Sequence, residues 1–191
     1  VNADPLAPLD LAFWNLESAG HPMHLGALGV FAAGSPSAGA HAADLLAARA
    51  AAVPGLRMRI RDVWQPLTGR PSLSALRRSW PAPGEPLAAA LSRPLASALR
   101  RLLDFGGAAR EPDPGFDPLD HVRLHDPVAD FHAAAGPLME RPLERTLPPW
   151  EAHVLPGADG ASFAVLFKFH HALADGLRAL TLAAALMDPM D

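Results

Sequence analysis

The sequence predicts an α/β domain, and three features carry that expectation. Helix-like and strand-like segments alternate along the chain instead of grouping by type. Residues Leu56 to Trp64 set Leu56, Met58 and Ile60 against Arg57, Arg59 and Arg61, the period-two pattern of a strand with one solvated face. Ala161 to Phe169 is an apolar run of strand length, too short for a membrane span of roughly 20 residues.

The elements follow in order. Pro8 to Leu16 is read as a short helix with Leu9, Phe13 and Leu16 on one side. His24 to Phe31 alternates loosely as a strand, closed by Gly34-Ser35-Pro36. Ala40 to Val53 is alanine-rich and free of breakers, so it reads as a helix ended by Pro54-Gly55. The strand Leu56–Trp64 comes next. Residues 65–119 are rich in proline and the least regular, with a helix over Pro86 to Asp104 kinked at Pro94. Its second half is amphipathic and basic, which suits a solvated surface helix or one lying on anionic lipid. His121 to His125 then reads as a strand, Ala129 to Glu140 as a helix and Trp150 to Leu155 as a strand. Gly157 to Gly160 is a hairpin-like turn into the strand Ala161–Phe169, and Leu177 to Leu186 is a helix stopped by Asp188-Pro189.

Composition narrows the function classes. Half of the 191 residues are hydrophobic, 19% are charged, and the formal net charge is -4. That profile belongs to a chain with a packed core rather than a disordered tail. It offers no broad basic field, so the reading is of a protein without a nucleic-acid partner. With no cysteine there is no disulfide, thiolate nucleophile or Cys-type metal site. His121 with His125, and His21 with His24, lack the further ligands of a zinc site, so no metal is expected. The four tryptophans read as core or rim anchors, and Gly106-Gly107 lacks the lysine of a phosphate loop. Arg57, Arg59 and Arg61 could meet phosphates, but a solvated strand face is the better account of them. The N-terminus shows no signal-peptide pattern, which gives the expectation of a cytoplasmic protein, soluble or peripheral to a membrane.

The informative stretch is Phe163-Ala-Val-Leu-Phe-Lys-Phe-His170-His171-Ala-Leu-Ala-Asp175-Gly176. An apolar strand runs into two histidines, then an Asp-Gly and a helix. If the strand persists through both, His171 shares the face of Phe163, Val165, Phe167 and Phe169, and His170 that of Leu166 and Lys168. Rings on opposite faces are poor joint ligands for one metal ion but suit a division of labour. A neutral imidazole at a strand end is a good general base near pH 7. Asp175 is read as a brace for the turn, and Gly176 as opening room at the helix start. The same pattern also fits two core-edge histidines beside a capped helix.

His170-His171-Xaa-Xaa-Xaa-Asp175-Gly176 resembles the signature of the CoA- and carrier-dependent acyltransferase superfamily. That superfamily includes chloramphenicol acetyltransferase and the condensation domains of peptide synthetases. The run Pro5 to Asp10, the block Pro22-Met23-His24-Leu25-Gly26, Phe116-Asp117 with His121-Val122-Arg123, and Pro142-Leu143-Glu144-Arg145 followed by Pro148 to Glu151 narrow this. In that order they resemble the bacterial wax ester synthase/diacylglycerol acyltransferase family.

The resemblance implies a chloramphenicol-acetyltransferase-like sheet packed with helices, one of the two halves of the family architecture. Residues of about 68–104 stand as an insertion. It implies acyl transfer from acyl-CoA, a co-substrate rather than a cofactor, to the hydroxyl of a diacylglycerol or fatty alcohol. His171 would be the base, with no covalent acyl-enzyme. His170 would be supportive, Asp175 would hold the loop, through an arginine the sequence does not identify, and Gly176 would shape the pocket. CoA-binding residues stay unassigned. Expected partners are acyl-CoA, a lipid alcohol, a C-terminal half-domain, and a membrane or lipid-droplet surface. A second reading stays open: a truncated, non-catalytic homologue or partner subunit that needs a separate C-terminal half.

Overall fold

The structure is a computed structural model that describes residues 3–18, 20–63, 107–173 and 176–187. It is α/β, as expected, and its strands form two sheets. The larger has four strands: β2 (His24–Ala32), β5 (Val122–Leu124), β6 (Trp150–Pro156) and β7 (Ser162–His170). Their order is β2-β7-β6-β5, antiparallel except for the parallel β5–β6 pair. The smaller sheet is antiparallel in the order β1-β4-β3, from β1 (Asp4–Pro5), β3 (Met58–Val63) and β4 (Gly107–Pro112).

Register gives the large sheet two unlike faces. Trp150 opposes Phe169, Ala152 opposes Phe167, and Val154 opposes Val165. These residues form the main core with Val122 and with Ala43, Leu46, Ala47 and Ala50 of α2 (Ala38–Ala52). Small alanines on α2 let its backbone come close to the sheet. Leu182 and Leu186 of α4 (Gly176–Met187) complete that layer. The opposite face brings Glu151 beside Lys168, Lys168 beside Gly26, and His170 beside His24.

Helix α3 (Phe131–Glu140) covers that polar face, and its own backbone supplies the partners. The last carbonyls of a helix have no intrahelical donor. Here Lys168 Nζ donates to Leu138 O at 2.8 Å and to Arg141 O, and His24 Nε2 donates to Met139 O. A cation at a helix C-terminus is also favoured by the helix dipole. Gly26 admits the close contact, because a Cβ there would sit 2.5 Å from Met139 Sδ.

Several boundaries differ from expectation. The helix expected from Ala129 starts at Phe131, because the Asp130 carboxylate accepts from the His132 and Ala133 amides and so caps it. The strand expected from Leu56 starts at Met58, since Pro54–Arg57 forms a 3-10 turn. β4 falls in a region read as irregular. Its small residues carry no β-branched signal, yet Ala108 joins Leu6, Leu11, Trp14, Ile60 and Ala172 in a second core. The helix read over Pro86–Asp104 and the whole of the inferred 68–104 insertion lie outside the described residues.

Trp150 anchors the junction of the layers. It is 1% exposed, stacks on His121, and donates from Nε1 to Leu56 O at 2.7 Å. Trp150→Phe removes that donor and leaves a buried carbonyl unpaired beside a small void. We expect a loss of about 2–4 kcal/mol in chemical denaturation; a change under about 0.5 kcal/mol would show that the anchor does not matter.

Candidate active site

β7 delivers the two histidines to the seam between the sheets. The strand stops at His170, and a turn follows, closed by Leu173 N–H donating to His170 O at 3.0 Å. His170 keeps the face expected from parity, beside His24 and with Lys168. His171 does not take the apolar face of Phe163, Val165, Phe167 and Phe169, because the alternation ends one residue before it. Its amide donates to Met23 O at 2.9 Å, and its ring stacks on Phe13 of α1 (Pro8–Leu16) at 4.6 Å and 23°.

The two rings differ in state as well as direction. His170 is fully buried, with the edge of Trp14 against it at 5.1 Å. Ala172 N–H donates to its Nδ1 at 2.9 Å. An accepting Nδ1 carries no proton, so the neutral ring bears its hydrogen on Nε2. Burial pushes this imidazole down to about 4, and the positive charges of Arg145, His24 and His171 push the same way. His171 is only partly buried, and no described residue hydrogen-bonds to its ring nitrogens. One histidine is committed to the scaffold; the other has no partner at its ring nitrogens among the described residues.

The arginine that grips this loop is Arg110, from the strand that sequence patterning missed. It is 8% exposed. Its Nε and Nη2 donate to Ala172 O at 3.1 and 2.7 Å, and Nη2 donates to Asp10 Oδ2 at 2.6 Å. Ala172 is thus held at both its amide and its carbonyl. Asp175, expected to brace the turn, lies outside the described residues. Gly176 is the first residue of α4.

Other polar groups surround the pair. Glu17, with a side chain 5% exposed, places Oε2 3.4 Å from His170 Nε2 and 3.7 Å from Arg145 Nη1. Arg145 lies over the Trp14 ring at 3.8 Å, and Trp14 Nε1 donates to Asp62 at 2.8 Å. Behind them runs a chain from Lys168 through Glu151 to His153 and His125, with spacings of 4.0, 3.0 and 2.9 Å. Burial works to raise the Glu151 carboxyl. The His153 hydrogen bond and neighbouring positive charges, including Lys168, outweigh it and hold Glu151 below the usual glutamate range. Among the described residues no cluster of three His, Asp or Glu could hold a metal ion.

Arg59 and Arg61 line an open groove of about 450 Å³ with Trp14, Asp62 and Arg145. As expected of a strand with one solvated face, Arg57 and Arg61 are exposed and Arg59 partly so, while Leu56 and Ile60 are buried. Arg59 donates to Glu111 at 2.6 and 3.0 Å, and Arg61 pairs with Glu111 at 3.2 Å, so their charge is already largely answered.

Solved structures define the class of fold first. The wax ester synthase/diacylglycerol acyltransferase of Marinobacter aquaeolei VT8 superimposes with a TM-score of 0.63 at 22% identity, over 95% of this chain and 36% of that one. The starter condensation domain of rhizomide synthetase matches with a TM-score of 0.53 at 14% identity, over 97% and 36%. The fold is therefore the chloramphenicol-acetyltransferase-like one that the sequence resemblance implies. The family model of the wax ester synthase/diacylglycerol acyltransferase catalytic domain matches residues 6–72 and 67–191, and the chain belongs to that family. A Mycobacterium tuberculosis H37Rv protein named as a candidate diacylglycerol O-acyltransferase is 30% identical over 97% of this chain. The chain spans 35% of that relative's length.

The Arg110 clasp is directly testable. Lysine cannot reproduce a guanidinium that grips Ala172 O twice and Asp10 at once. Arg110→Lys should cost about 1–3 kcal/mol of stability in thermal unfolding, and Arg110→Ala more. A lysine variant as stable as wild type would mean that the clasp does not hold the loop.

Proposed function

We propose that this chain carries the base-bearing part of an acyltransferase that moves a long-chain acyl group from acyl-CoA to the hydroxyl of a diacylglycerol or fatty alcohol. The supporting observation is the contrast between the two histidines: His170 is buried and bonded, while His171 offers a partly open ring whose nitrogens have no described partner. A general base needs such a nitrogen within reach of the proton it removes.

In this reading a ring nitrogen of His171 takes the hydroxyl proton as the alcohol oxygen attacks the thioester carbon. The tetrahedral intermediate collapses by breaking the carbon–sulfur bond. The departing CoA thiolate takes the proton back from His171. Atoms and charge balance without an acyl-enzyme, and this chain has no cysteine to form a thioester of its own. Gly176 opens α4, and in this reading it shapes the pocket.

Because the chain spans about a third of its relatives' length, we place the rest of the substrate site in the part they have and this chain does not match. Turnover is assigned to a protein holding both parts, and the span alone is expected to show little. Among the described residues no helix is long and apolar enough to cross a membrane. A lipid acceptor would then reach the site from a membrane or droplet surface.

The test is thiol release from palmitoyl-CoA with diacylglycerol or hexadecanol, using this chain joined to, or mixed with, a segment supplying the rest of the family fold. His171→Ala should lower kcat by about 10²–10⁴-fold, the usual range for a general base, with the donor KM little changed. Full activity in that variant would remove His171 from the chemistry. The ratio of rates with the two alcohols assigns the acceptor.

A further inference from the structure

Glu17 belongs to none of the sequence motifs, yet its carboxylate meets the direct neighbours of the two amides that flank His171, through Met23 and through the His170 ring. Toward one end, Oε1 accepts from the Met23 amide at 3.4 Å, and the Met23 carbonyl accepts from the His171 amide at 2.9 Å. Toward the other, Oε2 sits 3.4 Å from His170 Nε2, and Nδ1 of the same ring accepts from the Ala172 amide at 2.9 Å. The backbone N–H groups of residues 171 and 172 are thus each one link from the same carboxylate.

We propose that Glu17 is a positioning residue for His171, acting through Met23 and through the tautomer of His170. This rests on His171 being the base. A buried imidazole has two neutral forms, and only the Nε2–H form leaves Nδ1 bare for Ala172. The other form would set a ring N–H against the Ala172 N–H and push the turn away. A carboxylate beside Nε2 favours the hydrogen on that nitrogen by electrostatic attraction. At Nε2 itself no described residue is an aligned hydrogen-bond partner, so Glu17 acts there by charge, while the Ala172 N–H at Nδ1 favours the same form from the other side of the ring. Arg145 Nη1 stands 3.7 Å from the same carboxylate and ties it into the cluster. Phe13 stacks on His171 from the preceding turn of the same helix end, so α1 and the residue that follows it address both histidines.

The experiment is nitrogen-15 NMR of the histidine rings, with amide hydrogen exchange, on wild type and Glu17→Ala, read beside acyl transfer by the complete enzyme. Wild type should show His170 only as the Nε2–H form. In Glu17→Ala the Nδ1 signal should move toward the protonated position, and Ala172 and His171 amide exchange should quicken by about tenfold or more. kcat should fall about ten- to a hundredfold, with the donor KM within about twofold. An intact variant with unchanged ring signals and unchanged exchange overturns the proposal. If Glu17→Ala does not fold, Glu17→Gln decides, since it keeps the volume and removes the charge. A ring that then samples both neutral forms supports the role, and wild-type ring signals overturn it. These readouts need no turnover, so they stand apart from any failure of His171 as the base.

Discussion

The site depends on one residue, Ala172, being held by both its backbone polar groups. Its amide donates to His170 Nδ1, and its carbonyl accepts twice from Arg110. The first bond exists only while Nδ1 is bare, so the scaffold needs a neutral His170. Complete burial enforces that state by making the charged ring costly. A freely solvated histidine would titrate near 6.5 and lose the bond in mild acid. The two rings therefore differ: the first gives up ordinary titration to hold the turn, and the second has no hydrogen-bond partner at its nitrogens among the described residues.

The rest of the fold serves that division. The large sheet keeps one apolar face against α2 and α4 and one face lined by ionisable groups, an arrangement that costs free energy unless each group is answered. Helix α3 answers two of them with its own C-terminal carbonyls, which themselves need donors. Glu151, His153 and His125 answer one another. The small sheet contributes Arg110 and an apolar seat for Ala172, and α1 contributes Trp14 and Phe13. Two sheets and one helix thus converge on the three residues 170–172.

Much of the architecture was legible because it is local. The alternation in Met58–Ile60, the alanine stripe of α2 and the apolar run of β7 announce their elements within a few residues, and the bounds came out within two or three positions. The histidine pair stood out because it follows such a strand directly. What stayed hidden is long-range. Arg110 sits in Gly107–Pro112, whose alanines and flanking proline look like a loop; it becomes a strand only between β1 and β3. Its grip on Ala172 spans 62 positions. Glu17 follows α1 with no motif around it, and only folding brings it to His170. The parity argument placed His170 well and failed for His171 because a strand-face rule stops where the strand does. A glycine-free turn at His171-Ala172-Leu173 offered no warning of that end.

The most direct test is a pH titration of the His170 ring by nitrogen-15 NMR in the wild-type chain. The unfolded chain takes up this proton near 6.5, and the folded one near about 4. The unfolded state therefore binds more protons between those values. Stability should be full above about 6.5 and decline as pH falls, with the His170 share lost by about 4, a contribution on the order of 3 kcal/mol. Our account predicts a single Nε2–H form from pH 8 down to about 5, and protonation only as the turn releases. A His170 that titrates near 6.5, or that carries its proton on Nδ1 at neutral pH, would contradict it.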